Sequence, residues 1–183
     1  MLKEMEIMQA KTIIITILFT ILFSSAQSST IDDMELHGMG VAYYLKFIKV
    51  YDAALYTEQA ASEEEILQGA ISKCLLLEYD VSLKQKDFIK AANTVLNRQY
   101  TDEQLSKVRD EIDQLHAGYQ DVIDGDQYTL CYDRQQTSTT LSHNGKEIVR
   151  ILSKTFAEVY FSIWLGKEYP LDNTLRDNLL ARN

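Results

Sequence analysis

Apolar and polar residues alternate through much of residues 38–56, where Tyr, Val, Ile and Phe are frequent, and this pattern predicts extended structure. The alternation changes phase near Phe47. A bulge or bend within one long strand would produce such a change. A further strand is predicted over Lys73–Asp80, which is also rich in apolar residues.

The middle of the chain has the period of amphipathic helices. Capping-box pairs predict helix starts at Ser62, with Glu65, and at Thr101, with Gln104, and Ser82 marks a third start. The helices after Ser82 and Thr101 each have an apolar face. The two faces comprise Phe88, Ala91, Ala92, Val95 and Leu96, and then Leu105, Val108, Ile112, Leu115 and Tyr119.

Extended patterns return near residue 127, and Asn144-Gly145 between two short extended segments is a strong hairpin signal. The C-terminal segment is helical, with Gly166 predicted to end one helix and Asp172 to cap a short last one. Its apolar face comprises Phe156, Val159, Tyr160, Ile163 and Trp164. Blocks of strands and helices predict an α+β fold, formed by a single domain over residues 27–183.

Residues 1–26 have the pattern of a cleavable signal peptide. Lys11 precedes the apolar run Thr12–Phe23, and Ser24-Ser25-Ala26 supplies the small residues of a cleavage site. Such a run is short for a membrane span, so a retained anchor is the less favoured alternative. The sequence therefore predicts export to the periplasm with no stable membrane span after cleavage. Translation begins at either Met1 or Met8.

The charge balance argues against polyanionic partners. The chain has 18 Lys and Arg against 27 Asp and Glu, a net charge of −9 with no long basic run. Nucleic acid and anionic membrane surfaces are poor partners for such a protein. The three His residues lack the helical spacing of a metal site, so no metal or other cofactor is predicted. The oligomeric state stays open.

The chain contains two cysteines, Cys74 and Cys131, both in strand-like segments. In an exported protein they form a disulfide if the two strands are neighbours, and otherwise they are two buried free thiols. Both alternatives stay open at the level of sequence. Neither cysteine has the Cys-x-x-Cys spacing of a redox or zinc site.

An ordered set of segments resembles the chalcone isomerase-like proteins, in particular their exported bacterial branch. The segments are "LHGMGVAYYLKFIKVYDAALY", "YQDVIDGDQYTLCY", a hairpin with "NG", and "FAEVYFSIWLG" followed by "LRDNLL". The resemblance runs from about Leu36 to Leu180. It implies an open-faced β-sandwich, in which helices cover one face of an antiparallel sheet and a ligand occupies an apolar cleft between the two layers.

The resemblance also implies which residues form the site. In the plant enzymes an Arg after Gly-x-Gly-Val stabilises the oxyanion formed as the ring closes, and here that residue is Ala42. Of the other polar positions of the family site, only Tyr100 is kept. The candidate ligand-binding residues are Ala42, Tyr44, Tyr51, Tyr100, Lys107 and Ile163. The cleft is expected to lie between strand 41–56 and helical faces containing Phe88, Val95, Phe156, Tyr160 and Trp164.

The favoured function is non-catalytic binding of a small apolar or amphipathic ligand of fatty-acid-like character. The loss of the Arg counts against the first alternative, an isomerase of the intramolecular lyase type. A second alternative is a haem protein in which His37 is the axial ligand, and a third is a purely structural role. Most of the strand tyrosines are expected to serve packing, because their rings are apolar and their hydroxyls need only one partner.

Overall fold

The computed structural model describes residues 31–182, so the predicted signal peptide lies outside the described residues. Six strands form one antiparallel sheet in which each strand pairs with the next along the chain. The strands are β1 (Glu35–Tyr44), β2 (Ile48–Thr57), β3 (Lys73–Tyr79), β4 (Gln127–Asp133), β5 (Ser138–His143) and β6 (Lys146–Leu152).

A helical layer covers one face of this sheet. A short 3-10 helix, Ile31–Asp33, precedes β1. The α-helices are α1 (Glu63–Leu67), α2 (Gln85–Gln99), α3 (Asp102–Ser106), α4 (Arg109–Gly118), α5 (Lys154–Leu165) and α6 (Asn173–Leu180). The predicted α+β fold, an antiparallel sheet with helices on one face, is confirmed.

Helix α5 lies at the centre of the helical layer. Nine of its twelve residues are buried, on all sides of the helix rather than on the predicted face alone. It contacts α1, α2, α4 and α6 as well as β5, and a helix surrounded in this way is apolar all round. The sheet contributes every second residue of its strands to the same core, among them Leu55, Leu75, Leu77, Leu130 and Ile151.

Most of the predicted local signals are present. Both capping boxes form, Ser62 with Glu65 and Thr101 with Gln104. The side chain of Asp172 accepts the backbone N–H of Leu175 at the start of α6.

The predicted start at Ser82 is wrong, because the backbone of Leu83 pairs with Val122 and delays α2. The helix begins at Gln85, where the side chain of Asp87 accepts the N–H of Lys84. The helix predicted after Thr101 is broken into α3 and α4 at residues 107–108.

The prediction of one long, bent strand over residues 38–56 is wrong. The chain reverses between β1 and β2 in a tight turn, and Phe47 N donates to Tyr44 O at 3.4 Å. Leu45 and Lys46 occupy the left-handed region, with φ of 51° and 69°. Such turns favour Asn and Gly, so these two residues carry no local turn signal. A bulge does occur, but it lies between Ala42 and Tyr43, before the turn.

Cys74 and Cys131 lie directly opposite each other on β3 and β4. Their Cα atoms are 4.0 Å apart and their sulfur atoms are bonded. Of the two alternatives, the structure therefore has the disulfide, and it contains no free cysteine among residues 31–182. The bond links two central strands of the sheet.

The glycine pair of the first quoted segment lies where α6 crosses β1. A Cβ atom on Gly40 would lie 2.8 Å from Leu175 Cδ1, and one on Gly38 would overlap the carbonyl oxygen of Leu179. Real Cβ atoms essentially never come so close to another heavy atom. The pair therefore permits the close approach of the last helix to the first strand.

Replacing Leu45-Lys46 with Asn-Gly should raise the free energy of unfolding by about 1–2 kcal/mol, because Asn and Gly tolerate positive φ at lower cost. Urea denaturation measures the change. The matched control is the β5–β6 turn, where Asn144 and Gly145 already have φ of 50° and 77°. Introducing Leu-Lys there should lower stability by a similar amount, and a loss of stability from Asn-Gly at 45–46 would contradict the turn assignment.

Candidate functional site

A cleft of about 720 Å³ lies between the sheet and helices α2 and α5. This volume is typical of small-molecule sites. Its floor is formed by the helix-facing residues of β2 to β5, including Tyr51, Leu77, Tyr79, Tyr128, Leu130 and Leu141. Its other wall comes from α2 and α5, including Phe88, Val95, Ile163 and Trp164.

The mouth of the cleft has two unlike sides. The β1–β2 hairpin contributes Tyr43 and Tyr44, which are 51% and 62% exposed. Helix α2 contributes the charged side chains of Asp87, Lys90 and Arg98, all exposed. The charged groups from α2 thus lie at the rim, whereas the sheet side of the cleft is apolar and aromatic.

The aromatic rings of the cleft form one connected cluster. The rings of Tyr51 and Tyr79 meet edge to face with centroids 5.4 Å apart, and Tyr79 meets Phe88 in the same way at 5.6 Å. Phe88 stacks on Tyr119 at 5.2 Å, and Tyr119 meets Tyr128 edge to face at 5.4 Å. Edge-to-face and offset-stacked rings are the favoured arrangements of aromatic pairs, so the cluster gives the cleft defined walls.

The hydroxyls of this cluster differ in their partners. Trp164 Nε1 donates to the Tyr51 hydroxyl at 3.0 Å, and the Tyr119 and Tyr160 hydroxyls share one hydrogen bond at 2.9 Å. Tyr128 is fully satisfied, since its hydroxyl donates to the carbonyl of Gln120 and accepts that residue's N–H. The hydroxyl of Tyr79 makes no hydrogen bond with any residue in 31–182.

Burial keeps these phenols neutral. It raises the pKa of Tyr51, Tyr79, Tyr119 and Tyr160 well above the usual value, because a phenolate would lose its hydration inside the cleft wall. The neighbouring phenols raise the pKa of Tyr79 further. At neutral pH the floor therefore presents uncharged hydrogen-bond donors.

Four of the six predicted ligand-binding residues lie together in the cleft. Ala42 and Tyr44 come from β1, Tyr51 comes from β2, and Ile163 comes from α5. The sheet brings Ala42 directly opposite Tyr51 in the register of β1 with β2.

The other two, Tyr100 and Lys107, lie outside the cleft. Tyr100 is partly buried where the backbone becomes extended at the end of α2, beyond the part of the helix that lines the cleft. Lys107 is exposed in the break between α3 and α4, with Nζ 4.0 Å from Glu103 Oε1. Neither residue contributes to the lining, so the polar position kept from the family site does not face this cleft.

The expected walls need a similar correction. Phe88, Val95 and Trp164 line the cleft, but Phe156 and Tyr160 are completely buried outside its lining. His37, the candidate haem ligand, is also absent from the lining. Its side chain is buried between β1 and α6, with Nε2 3.3 Å from the carbonyl oxygen of Leu180.

Sequence reasoning missed three tyrosines that line the cleft, Tyr79, Tyr119 and Tyr128. They come from β3, from the residue after α4 and from β4. The alternating pattern of β3 and β4 indicates which side of each strand is buried, but not that the two strands border a cleft.

The family model described as chalcone isomerase-like matches residues 20–181. The chain belongs to the chalcone isomerase-like family. This confirms the resemblance found in the sequence. A search among curated proteins found none with significant sequence similarity.

Among solved structures, this family member is similar to the fatty-acid binding protein of Arabidopsis thaliana. The two agree with a TM-score of 0.63, covering 84% of this chain and 90% of that one, at 14% sequence identity. At that identity the likeness shows the shared fold alone.

No helix within residues 31–182 is long and apolar enough to cross a bilayer. The same residues contain no cluster of three His, Cys, Asp or Glu side chains with the geometry to hold a metal ion.

The buried phenols predict a loss of stability in alkali. Phenols of the unfolded chain lose their protons near pH 10, whereas those with a raised pKa in the folded state keep theirs. The free energy of unfolding is therefore unaffected by these groups below about pH 10. Above it, the free energy falls by about 1.4 kcal/mol per pH unit for each such phenol.

Urea denaturation at a series of alkaline pH values measures this slope. Tyr79→Phe should make the slope shallower by about 1.4 kcal/mol per pH unit, because one such phenol is removed. Phenolate absorbance provides the check on the folded state. A folded protein whose phenolate absorbance reports every tyrosine ionising near the usual value would contradict the burial of these hydroxyls.

Proposed function

We propose that the protein binds a small apolar or amphipathic molecule of fatty-acid-like shape in the cleft, without catalysing a reaction on it. The observation that carries this proposal is the cleft itself, whose floor is aromatic and aliphatic and whose charged lining residues are Asp172 and three residues of α2. The similar Arabidopsis structure, named as that of a fatty-acid binding protein, supports the same class of ligand.

The absence of catalysis is inferred from the charges around Ala42. Ring closure in the family enzymes needs a fixed cation beside the developing oxyanion, and the methyl group of Ala42 cannot supply one. The cations at the cleft, Lys90 and Arg98, are exposed on α2, and their side chains have no hydrogen-bond or ion-pair partner within residues 31–182. The buried phenols stay neutral and do not replace a cation. A hydroxychalcone incubated with the protein should therefore cyclise at the rate of the buffer blank.

Binding can be followed through Trp164, the only tryptophan of the chain, which lines the cleft. Saturated fatty acids should change its fluorescence, and their affinity should rise with chain length until the cleft is full. Each added CH₂ group that leaves water contributes about 0.8 kcal/mol, or about fourfold in affinity. Titration with acids of increasing length measures this dependence.

Two variants, each with an exposed alanine replaced by Phe, distinguish binding in the cleft from binding elsewhere on the surface. Ala91 is exposed on α2 at the cleft, and Ala91→Phe should narrow the cleft and weaken binding at least tenfold. Ala117, exposed on α4 away from the cleft, is the matched control, and Ala117→Phe should bind as the unmodified protein does. Equal affinities in the two variants, or no fluorescence change with any fatty acid, methyl ester or alkane, would rule out the proposed site.

We further propose that the protein is exported to the periplasm and that residues 1–26 are removed. Lys11, the apolar run and Ser24-Ser25-Ala26 support this proposal, and so does the Cys74–Cys131 disulfide, because such bonds persist mainly in oxidising compartments.

N-terminal sequencing of the protein from a Gram-negative periplasm should begin near Gln27. Ile15→Lys, which interrupts the apolar run, should leave an uncleaved and reduced chain in the cytosol. The same outcome for the unmodified protein would refute export.

A further inference from the structure

The phenols in and beside the cleft have more hydrogen-bond donors than the residues in 31–182 supply acceptors for. Tyr79 is 3% exposed and its hydroxyl meets no acceptor among the described residues. The Tyr51 hydroxyl accepts from Trp164, which leaves its own hydrogen without an acceptor. The Tyr119–Tyr160 hydrogen bond uses one hydrogen of the two available, and of these two residues only Tyr119 lines the cleft. Buried donors normally have partners, so this surplus indicates an acceptor supplied by something else.

Two lining phenols whose hydrogens lack an acceptor, Tyr51 and Tyr79, lie side by side. Tyr51 and Tyr79 are direct partners in the register of β2 with β3, and both line the cleft. Their ring centroids are 5.4 Å apart, so the two side chains enter the same part of the cleft. The Tyr79 hydroxyl is unpartnered but not completely buried. The Tyr132 hydroxyl, in contrast, is both unpartnered and completely buried. The Tyr79 hydroxyl is thus accessible from the cleft space.

The charges around these donors disfavour an anion. The floor of the cleft contains no Lys, Arg or His among its described residues, and Ala42 stands opposite Tyr51 where the family enzymes carry Arg. The carboxylate of Asp172 lies at the cleft and contributes to raising the pKa of Tyr51, after the larger effect of burial. A second carboxylate beside Tyr51 would lose its hydration and be repelled by Asp172.

We infer that the cleft floor binds the neutral carbonyl oxygen of a long-chain ester or amide, with Tyr79 and Tyr51 as the two donors. A carbonyl oxygen has two lone pairs, which match two phenol hydrogens, and it carries no charge to be desolvated. This inference rests on the proposed function and names the ligand class for the same cleft. The apolar chain of the ligand would contact Leu77, Leu130 and Leu141.

A free fatty acid has one competing arrangement. Its carboxylate could stay at the mouth near Lys90 and Arg98, with the chain pointing inward and no group bonded to Tyr79. That arrangement predicts tighter binding of the acid than of its ester. It also predicts that Lys90→Ala and Arg98→Ala weaken binding while Tyr79→Phe has no effect.

The test compares dodecanoate, methyl dodecanoate and dodecane at pH 8, below their solubility limits, by titration of Trp164 fluorescence. The ester should bind at least tenfold more tightly than the acid. Tyr79→Phe should weaken ester binding about three- to tenfold, the usual effect of one neutral hydrogen bond, and leave dodecane binding unchanged. The lost hydroxyl has no partner among residues 31–182, so the variant should fold normally.

Tyr132→Phe is the matched control. Tyr132 lies on the same side of β4, is completely buried and has an unpartnered hydroxyl, but it does not line the cleft. Its removal should not change the affinity for any of the three probes. A direct readout is the carbonyl stretching frequency of the bound ester, which two phenol donors should lower and which Tyr79→Phe should partly restore.

Ala42→Arg tests the electrostatic part of the argument, since a cation opposite Tyr51 should shift the preference from ester towards acid. Two results would overturn the inference and leave the proposed function intact. One is that the unmodified protein binds the acid as tightly as the ester, and the other is that Tyr79→Phe has an unchanged affinity for the ester. Failure of all three probes to bind would overturn both.

Discussion

Burial of one face of the sheet beneath α5 is the constraint on which the rest of the structure depends. Helix α5 is buried on almost every side, so its position is determined by β5 below it and by four helices around it. The disulfide between Cys74 and Cys131 holds the two central strands together on this sheet. Where α2 and α5 do not close over the sheet, the apolar face remains open as the cleft.

Tyrosine suits a surface that is partly core and partly cleft. Its ring packs like any apolar side chain, while its hydroxyl requires a partner. Tyr128 finds both of its partners in the backbone of Gln120, but Tyr79 finds none in the described chain. The same residue type therefore has a satisfied hydroxyl at one position of the cleft and an unpartnered hydroxyl at the other. Since burial keeps all of these phenols neutral, the cleft can orient an oxygen atom without supplying charge.

The glycine pair of β1 affects the cleft indirectly. Gly38 and Gly40 allow α6 to lie against β1, because side chains there would overlap the helix. Asp172 caps the start of α6, so the position of that helix brings its carboxylate to the cleft. The result is a negative charge near Tyr51 and an alanine opposite it.

The sequence by itself determined the elements that have local signals. The capping boxes at Ser62 and Thr101, the Asn144-Gly145 turn and the apolar helix faces all depend on residues within a few positions of one another. The fold class followed from the order of these elements and from the family resemblance. The turn at Leu45-Lys46 was missed because its residue types do not favour positive φ, and the conformation is held by the pairing of β1 with β2.

Only the tertiary structure decided which residues share the cleft. Ala42, Tyr44, Tyr51 and Ile163 were predicted through the family and do meet there, whereas Tyr100 and Lys107 do not, because the chain leaves α2 before reaching them. Tyr79, Tyr119 and Tyr128 lie far apart in the sequence and come together only when β3, β4 and the end of α4 pack against α2. The periodicity of apolar residues indicates which side of a helix or strand is buried. It does not indicate where a helix and the sheet stay far enough apart to leave a cleft.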